Sequence, residues 1–218
     1  MEHQLKYFKY VFGSLIDFEI INPPHECKYV FDSTVQRMFK GPFYSWYFIN
    51  EETKECNGIS DSIKYVIDHV NKAGPYDGVL GFSQGSVIAW ILLKWSEFKS
   101  EMPELKFTPK FGIIVSGILN PEMRYIEPYT KDTFKLFLEY TQPMLYMYGS
   151  WDPIRKMVEN GIVEEGDYTI IHHKYGHNIP RLIGADLQKF VDFIKKVAFE
   201  SLGEEIKFDE EIFDESIK

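Results

Sequence analysis

Three side chains in this sequence have the types and surroundings that acyl transfer needs. Ser83 is the centre of Gly81-Phe82-Ser83-Gln84-Gly85, Asp152 precedes Pro153 in Gly149-Ser150-Trp151-Asp152-Pro153, and His177 follows Gly176 in Lys174-Tyr175-Gly176-His177-Asn178. A serine hydroxyl is a weak nucleophile at neutral pH and needs a base within hydrogen-bond reach. A histidine can take its proton and later give it to a leaving group, while an aspartate holds the histidine tautomer and stabilises the imidazolium. The Gly-x-Ser-x-Gly spacing suits a serine at the tip of a sharp strand-to-helix turn, where side chains two residues to either side would clash with a strained backbone. The backbone N–H of Gln84, opening the following helix, is then positioned as an oxyanion-hole donor.

Taken singly, each residue has a plainer reading. Ser83 could be incidental to a glycine-rich turn, Asp152 a turn or helix-cap residue, and His177 a solvated loop histidine. Their order and their placement after apolar runs join them. Tyr76, Val79 and Leu80 read as a short buried strand before the serine, and Ser86–Trp95 is apolar nearly all round, as a helix buried under a sheet would be. Met144–Tyr148 is an apolar strand before Asp152, and Tyr168–His172 is another before His177. In open parallel sheets, function collects at the carboxyl ends of strands.

The remaining elements fit the same scheme. Residues 3–15 carry a helical apolar stripe of Leu5, Phe8, Val11, Phe12 and Leu15, and Asp17–Asn22 reads as a strand stopped by Pro23-Pro24. Residues 23–58 show no clear period but many rings, which either form a lid or pocket wall or cover a core edge. Ser60 or Asp61 can cap a helix with Ile63, Val66, Ile67 and Val70 on one face. After a polar connection at 96–110, Phe111–Val115 is a strand covered on both faces. Short helices are expected near 131–139 and 153–159, and a longer amphipathic one over Ala185–Phe199. Strands alternating with helices predict a three-layer α/β domain with a mostly parallel sheet and right-handed crossovers. One domain is expected over residues 1–200, followed by an acidic tail at 201–218.

Composition narrows the function classes. The chain has 218 residues, 44% of them hydrophobic, and a formal net charge of −9, with no basic stripe to attract nucleic acid or an anionic membrane. No segment has the apolar length to span a bilayer, and the N-terminus lacks a secretory core, so a reducing, cytoplasmic location is expected. Cys27 and Cys56 read as ordinary packed residues. His172 and His173 at a strand end read as structural, and no acidic or cysteine ligand joins them with His177 at metal-binding spacing, so neither metal nor cofactor is expected. His25 either lines a pocket rim or satisfies its own loop; His3 and His69 fall on helix surfaces. The rings at 39–48, with Trp151 and Ile179, suggest an apolar acyl pocket, although rings also fill cores.

The chain resembles the FSH family of serine hydrolases, a branch of the α/β-hydrolases, in which the chain order is Ser, Asp, His. The resemblance rests on YDGVLGFSQGSVIA around Ser83, NPPHE at 22–26, GPFYSWYF at 41–48, FGIIVSG at 111–117, YGSWDPI at 148–154 and YGHNIP at 175–180. It implies hydrolysis of carboxylic esters or thioesters through an acyl-serine, with Ser83, Asp152 and His177 as triad, a small-molecule ester or thioester as substrate, and no cofactor. The family opens with a buried strand beside the nucleophile strand, whose His-Gly loop supplies a second oxyanion N–H. This chain begins at the helix that follows that strand, so the expected sheet lacks it. A different expectation follows from the same departure, a catalytically impaired hydrolase-like protein that binds a ligand. Acyl transfer to an acceptor other than water would use the same triad.

Overall fold

A computed structural model describes residues 1–13, 15–27, 33–95, 104–118, 142–162 and 168–208. Four strands build the main sheet: β5 (Gly78–Phe82), β6 (Phe111–Val115), β7 (Met144–Gly149) and β8 (Tyr168–His173). They lie side by side in sequence order and all pairs are parallel. The sheet is covered on both faces because its strands alternate. Ile113, Val115, Leu145, Met147 and Ile171 point into one core with helices α1 (Glu2–Phe12) and α6 (Gly184–Val197). Ile114, Met144 and Tyr146 point into the other with α3 (Ile59–Ala73) and α4 (Gln84–Leu93). This is a three-layer α/β arrangement with a parallel sheet.

The helices follow their apolar spacing. In α1, Leu5, Phe8 and Phe12 are buried, and Phe8 and Phe12 pack on Phe190 of α6 with ring centroids 5.0 and 4.9 Å apart. In α4, every residue from Ser86 to Leu93 is buried, which accounts for its apolar character on all sides. Helix α3 starts one residue earlier than Ser60 and has no side-chain cap; the residue before it is Gly58. Ser62 turns inward instead, donating to the Trp46 carbonyl at 2.5 Å. A single turn of wider helix, Ala198–Leu202, ends α6, and Ile206 and Phe208 beyond it pack back on the α1–α6 core.

Two further expectations differ from the structure. Asp17–Asn22 is extended, with Phe18 and Ile20 toward one core and Ile21 toward the other, yet it joins no sheet among the described residues. Its sides alternate as a strand's do, but a ladder also needs a neighbouring strand, and Glu19 engages the side chains of Tyr76 and His69 instead. Residues 23–58 are not without order. They hold β1 (His25–Cys27) paired antiparallel with β2 (Phe43–Ser45), helix α2 (Ser33–Met38), and β3 (Phe48–Ile49) paired with β4 (Cys56–Asn57). Strands of two or three residues are too short to show a period. The helix expected at 131–139 lies outside the described residues, whereas that expected at 153–159 is α5, Arg155–Gly161. No described helix is long and apolar enough to cross a membrane.

Candidate active site

Strand β5 ends at Phe82, and α4 begins at Gln84, so a single residue turns the chain from sheet to helix. That residue, Ser83, has φ 52° and ψ −120°. A non-glycine residue held there carries backbone strain of about 1–3 kcal/mol, which its neighbours must over-determine. They do: Ser83 N–H donates to Val115 O of β6 at 3.0 Å, and Ser86 N–H to Ser83 O at 3.0 Å. The buried Ser86 hydroxyl donates to Gly81 O at 3.0 Å, tying the helix back to its strand. The two elbow glycines have different reasons. A Cβ on Gly81 would lie 2.5 Å from Ser86 Cα and 2.6 Å from Gly85 O, a backbone collision, whereas one on Gly85 would meet the Trp46 indole side chain, 3.3 Å from its nitrogen.

Asp152 and His177 arrive from the next two strand ends. The turn after β7 donates from Ser150 N–H to His173 O at 2.8 Å and from Trp151 N–H to Tyr175 O at 3.1 Å, so the aspartate turn is laced to the loop after β8. The two loops approach so closely that a Cβ on Gly149 would collide with the carbonyl oxygens of Tyr175 and Gly176. His177 Nδ1 lies 3.1 and 3.0 Å from Asp152 Oδ1 and Oδ2, and His177 Nε2 lies 3.0 Å from Ser83 Oγ. Asp152 is 5% exposed, and its Oδ1 also accepts Ile154 N–H at 3.0 Å. Its turn role and its contact with histidine therefore coexist in one carboxylate. The Phe82 ring supports the His177 ring at 5.0 Å between centroids.

Several side chains that brace this arrangement are not evident from motif reading. Gln84 is clamped by the β2–β3 loop: its Oε1 accepts from Ser45 Oγ at 2.8 Å and Trp46 N–H at 3.2 Å, and its Nε2 donates to Tyr47 O at 3.0 Å. Its backbone N–H lies in the first turn of α4, where N–H groups have no intrahelical acceptor. Gln4 of α1 accepts Ile179 N–H at 2.7 Å, and Tyr7 donates to Leu182 O at 2.5 Å, which fastens the chain just past His177. Each joins a polar side chain on a helix to groups far away in sequence, and spacing carries no such signal.

The other singled-out residues scatter. His25, in β1, reaches Gly58 O at the start of α3 with its Nε2 at 2.8 Å; His69 pairs with Glu19 at 2.6 Å, and His3 lies beside Phe39. His172 stacks on Tyr148 and meets Ser150 Oγ at 3.2 Å. Cys27 and Cys56 are free, and burial pushes the Cys56 thiol up to about 11. Of the expected apolar pocket, Ile179 belongs elsewhere, because it is buried in the α1–α6 core; Trp151 is 80% exposed beside Asp152.

His173, fully enclosed at the end of β8, is pushed by burial, and secondarily by His172, from the ordinary 6.5 down to about 4, against a smaller opposing pull from Asp152. Between those two values the unfolded chain binds a proton that the folded chain does not. The stability that His173 contributes is therefore complete above pH 6.5 and declines as pH falls toward 4. Urea unfolding at pH 7 and pH 5 should show wild type losing more stability than His173→Asn over that interval; equal losses would contradict it.

Comparison with known proteins gives the same family. The serine hydrolase family FSH1 matches residues 1–186. Bovine esterase OVCA2 is 28% identical over 151 residues, covering 68% of this chain and 62% of its own length. Caenorhabditis elegans esterase C25G4.2 is 27% identical over 185 residues, covering 78% of this chain and 75% of its own. This chain thus spans less than two thirds of the bovine relative. Among solved structures, Zea mays acyl-protein thioesterase 2 superposes with a TM-score of 0.48 at 15% identity, covering 75% of each chain. The match over residues 1–186, which takes in all three loops of the site, makes this chain a member of the FSH1 serine hydrolase family.

Proposed function

We propose that this protein hydrolyses small-molecule carboxylic esters or thioesters through an acyl-Ser83 intermediate. The observation that carries the reading is the continuous line of contacts from Ser83 Oγ through the His177 ring to the buried Asp152 carboxylate. In the first half-reaction, His177 Nε2 takes the Ser83 proton as Oγ attacks the carbonyl carbon. Asp152 accepts the Nδ1–H throughout, which stabilises the imidazolium without itself becoming protonated. The tetrahedral oxyanion faces the Gln84 N–H at the start of α4, where the helix dipole adds to the hydrogen bond. Collapse expels the alcohol or thiol with the proton from His177. Water then repeats the sequence, releasing the acid and restoring Ser83.

A second reading, a hydrolase-like binding protein, has one observation in its favour. The family resemblance puts a second oxyanion donor on a strand beside β5, and no described strand pairs with β5 on the side away from β6. Both readings meet in one experiment. Mixing the protein with p-nitrophenyl acyl esters and with acyl thioesters should release a burst of leaving group approaching one equivalent. Quenched samples should carry the acyl mass on the peptide containing Ser83. Saturable ester binding with neither burst nor adduct would select the second reading.

A further inference from the structure

The loops that carry Asp152 and His177 share a buried histidine that the proposed reaction does not use. His173 is 2% exposed, and its Nδ1 lies 3.2 Å from Tyr175 N, accepting that N–H. An acceptor Nδ1 places the ring proton on Nε2, which is buried and makes no hydrogen bond among the described residues. The ring is therefore held through Nδ1. Its geometry is that of an Asx turn made by an imidazole: an acceptor attached to Cγ bonds the N–H two residues on. On either side of this lock, the carbonyls of His173 and Tyr175 receive the Ser150 and Trp151 N–H groups, and the Ser150 hydroxyl also donates to the His173 carbonyl at 3.2 Å. The backbone between those two carbonyls is what the ring fixes. If it relaxed, the aspartate turn and the histidine loop would lose their common register.

We propose that His173 is a positioning residue for the Asp152–His177 pair, acting through its Nδ1 on Tyr175. The inference rests on the hydrolase reading above for its kinetic consequence and on geometry alone for its tautomer. Displacing the pair by a fraction of an ångström lowers turnover more than substrate binding, because the misalignment is felt where the proton moves; losses up to about 100-fold accompany a 1 Å error.

The test compares His173→Asn, which keeps an acceptor on Cγ, with His173→Gln, which moves it one bond outward, and His173→Leu, which removes it. His173→Asn should stay within about threefold of wild-type kcat, while the other two fall at least about tenfold with KM nearly unchanged. Wild-type kcat in folded His173→Gln and His173→Leu, or a loss in folded His173→Asn as large as in His173→Leu, would overturn the assignment. Nitrogen NMR of the wild-type protein at pH 7 provides a readout independent of folding of the variants and of activity. His173 should show a protonated Nε2 and an unprotonated, hydrogen-bonded Nδ1; the opposite tautomer would overturn the proposal. If wild type forms no acyl-enzyme at all, the hydrolase reading fails while the tautomer still decides the Nδ1 lock.

Discussion

Replacing Ser83 with alanine is expected to lower kcat for ester hydrolysis by about 10⁶, the scale seen when a triad serine is removed from a protease. The loss follows from the contacts: Ser83 Oγ is the atom that His177 Nε2 reaches at 3.0 Å, and a methyl group there can neither give a proton nor accept an acyl group. The fold should survive, because what Ser83 contributes to packing is its backbone, through Val115 O and Ser86 N–H. A second substitution separates chemistry from strain. Ser83→Gly should be equally inactive but more stable than Ser83→Ala by about 1 kcal/mol, since glycine accepts φ 52° without steric cost. Steady-state kinetics on a p-nitrophenyl ester and urea unfolding measure the two quantities. Residual activity of Ser83→Ala within tenfold of wild type would remove Ser83 from the mechanism.

Asp152→Asn should cost about 10⁴ in kcat with little loss of stability. The reason is specific to the hydrogen bonds of this carboxylate. Asp152 Oδ1 accepts Ile154 N–H at 3.0 Å, so an asparagine at this position keeps its carbonyl oxygen on that N–H and turns its amide toward His177. An N–H donor facing Nδ1 forces the imidazole proton onto Nε2. In that tautomer Nε2 donates toward Ser83 and cannot take its proton. The substitution therefore keeps the shape and the helix start while reversing the polarity of the relay. Nitrogen NMR should show the exchanged tautomer alongside the fall in kcat. A kcat within tenfold of wild type, or an unchanged tautomer, would contradict the role given to Asp152.

The strands and helices nearest the site were legible because they are covered on both sides. Met144–Gly149 and Phe111–Val115 are apolar at nearly every position, and α4 is apolar all round, so no alternative environment suits them. Where burial is one-sided or local pairing decides, the reading weakened. Asp17–Asn22 has strand-like alternation without a partner strand among the described residues, and the two small antiparallel pairs in 23–58 are specified by contacts between residues up to 20 apart, which no window of periodicity registers.

What the sequence determined by itself was chemistry and order: a serine between glycines, then an aspartate, then a histidine, each following an apolar run, because turn composition and strand burial are written in adjacent residues. The tertiary structure alone decided how these residues are held. Gln84 grips a loop some forty positions upstream, Gln4 reaches the backbone after His177, and the His173 ring fixes a turn from inside the fold. Such contacts join polar groups that are distant along the chain and leave no pattern in it; they exist only once the sheet has brought its strand ends to one rim.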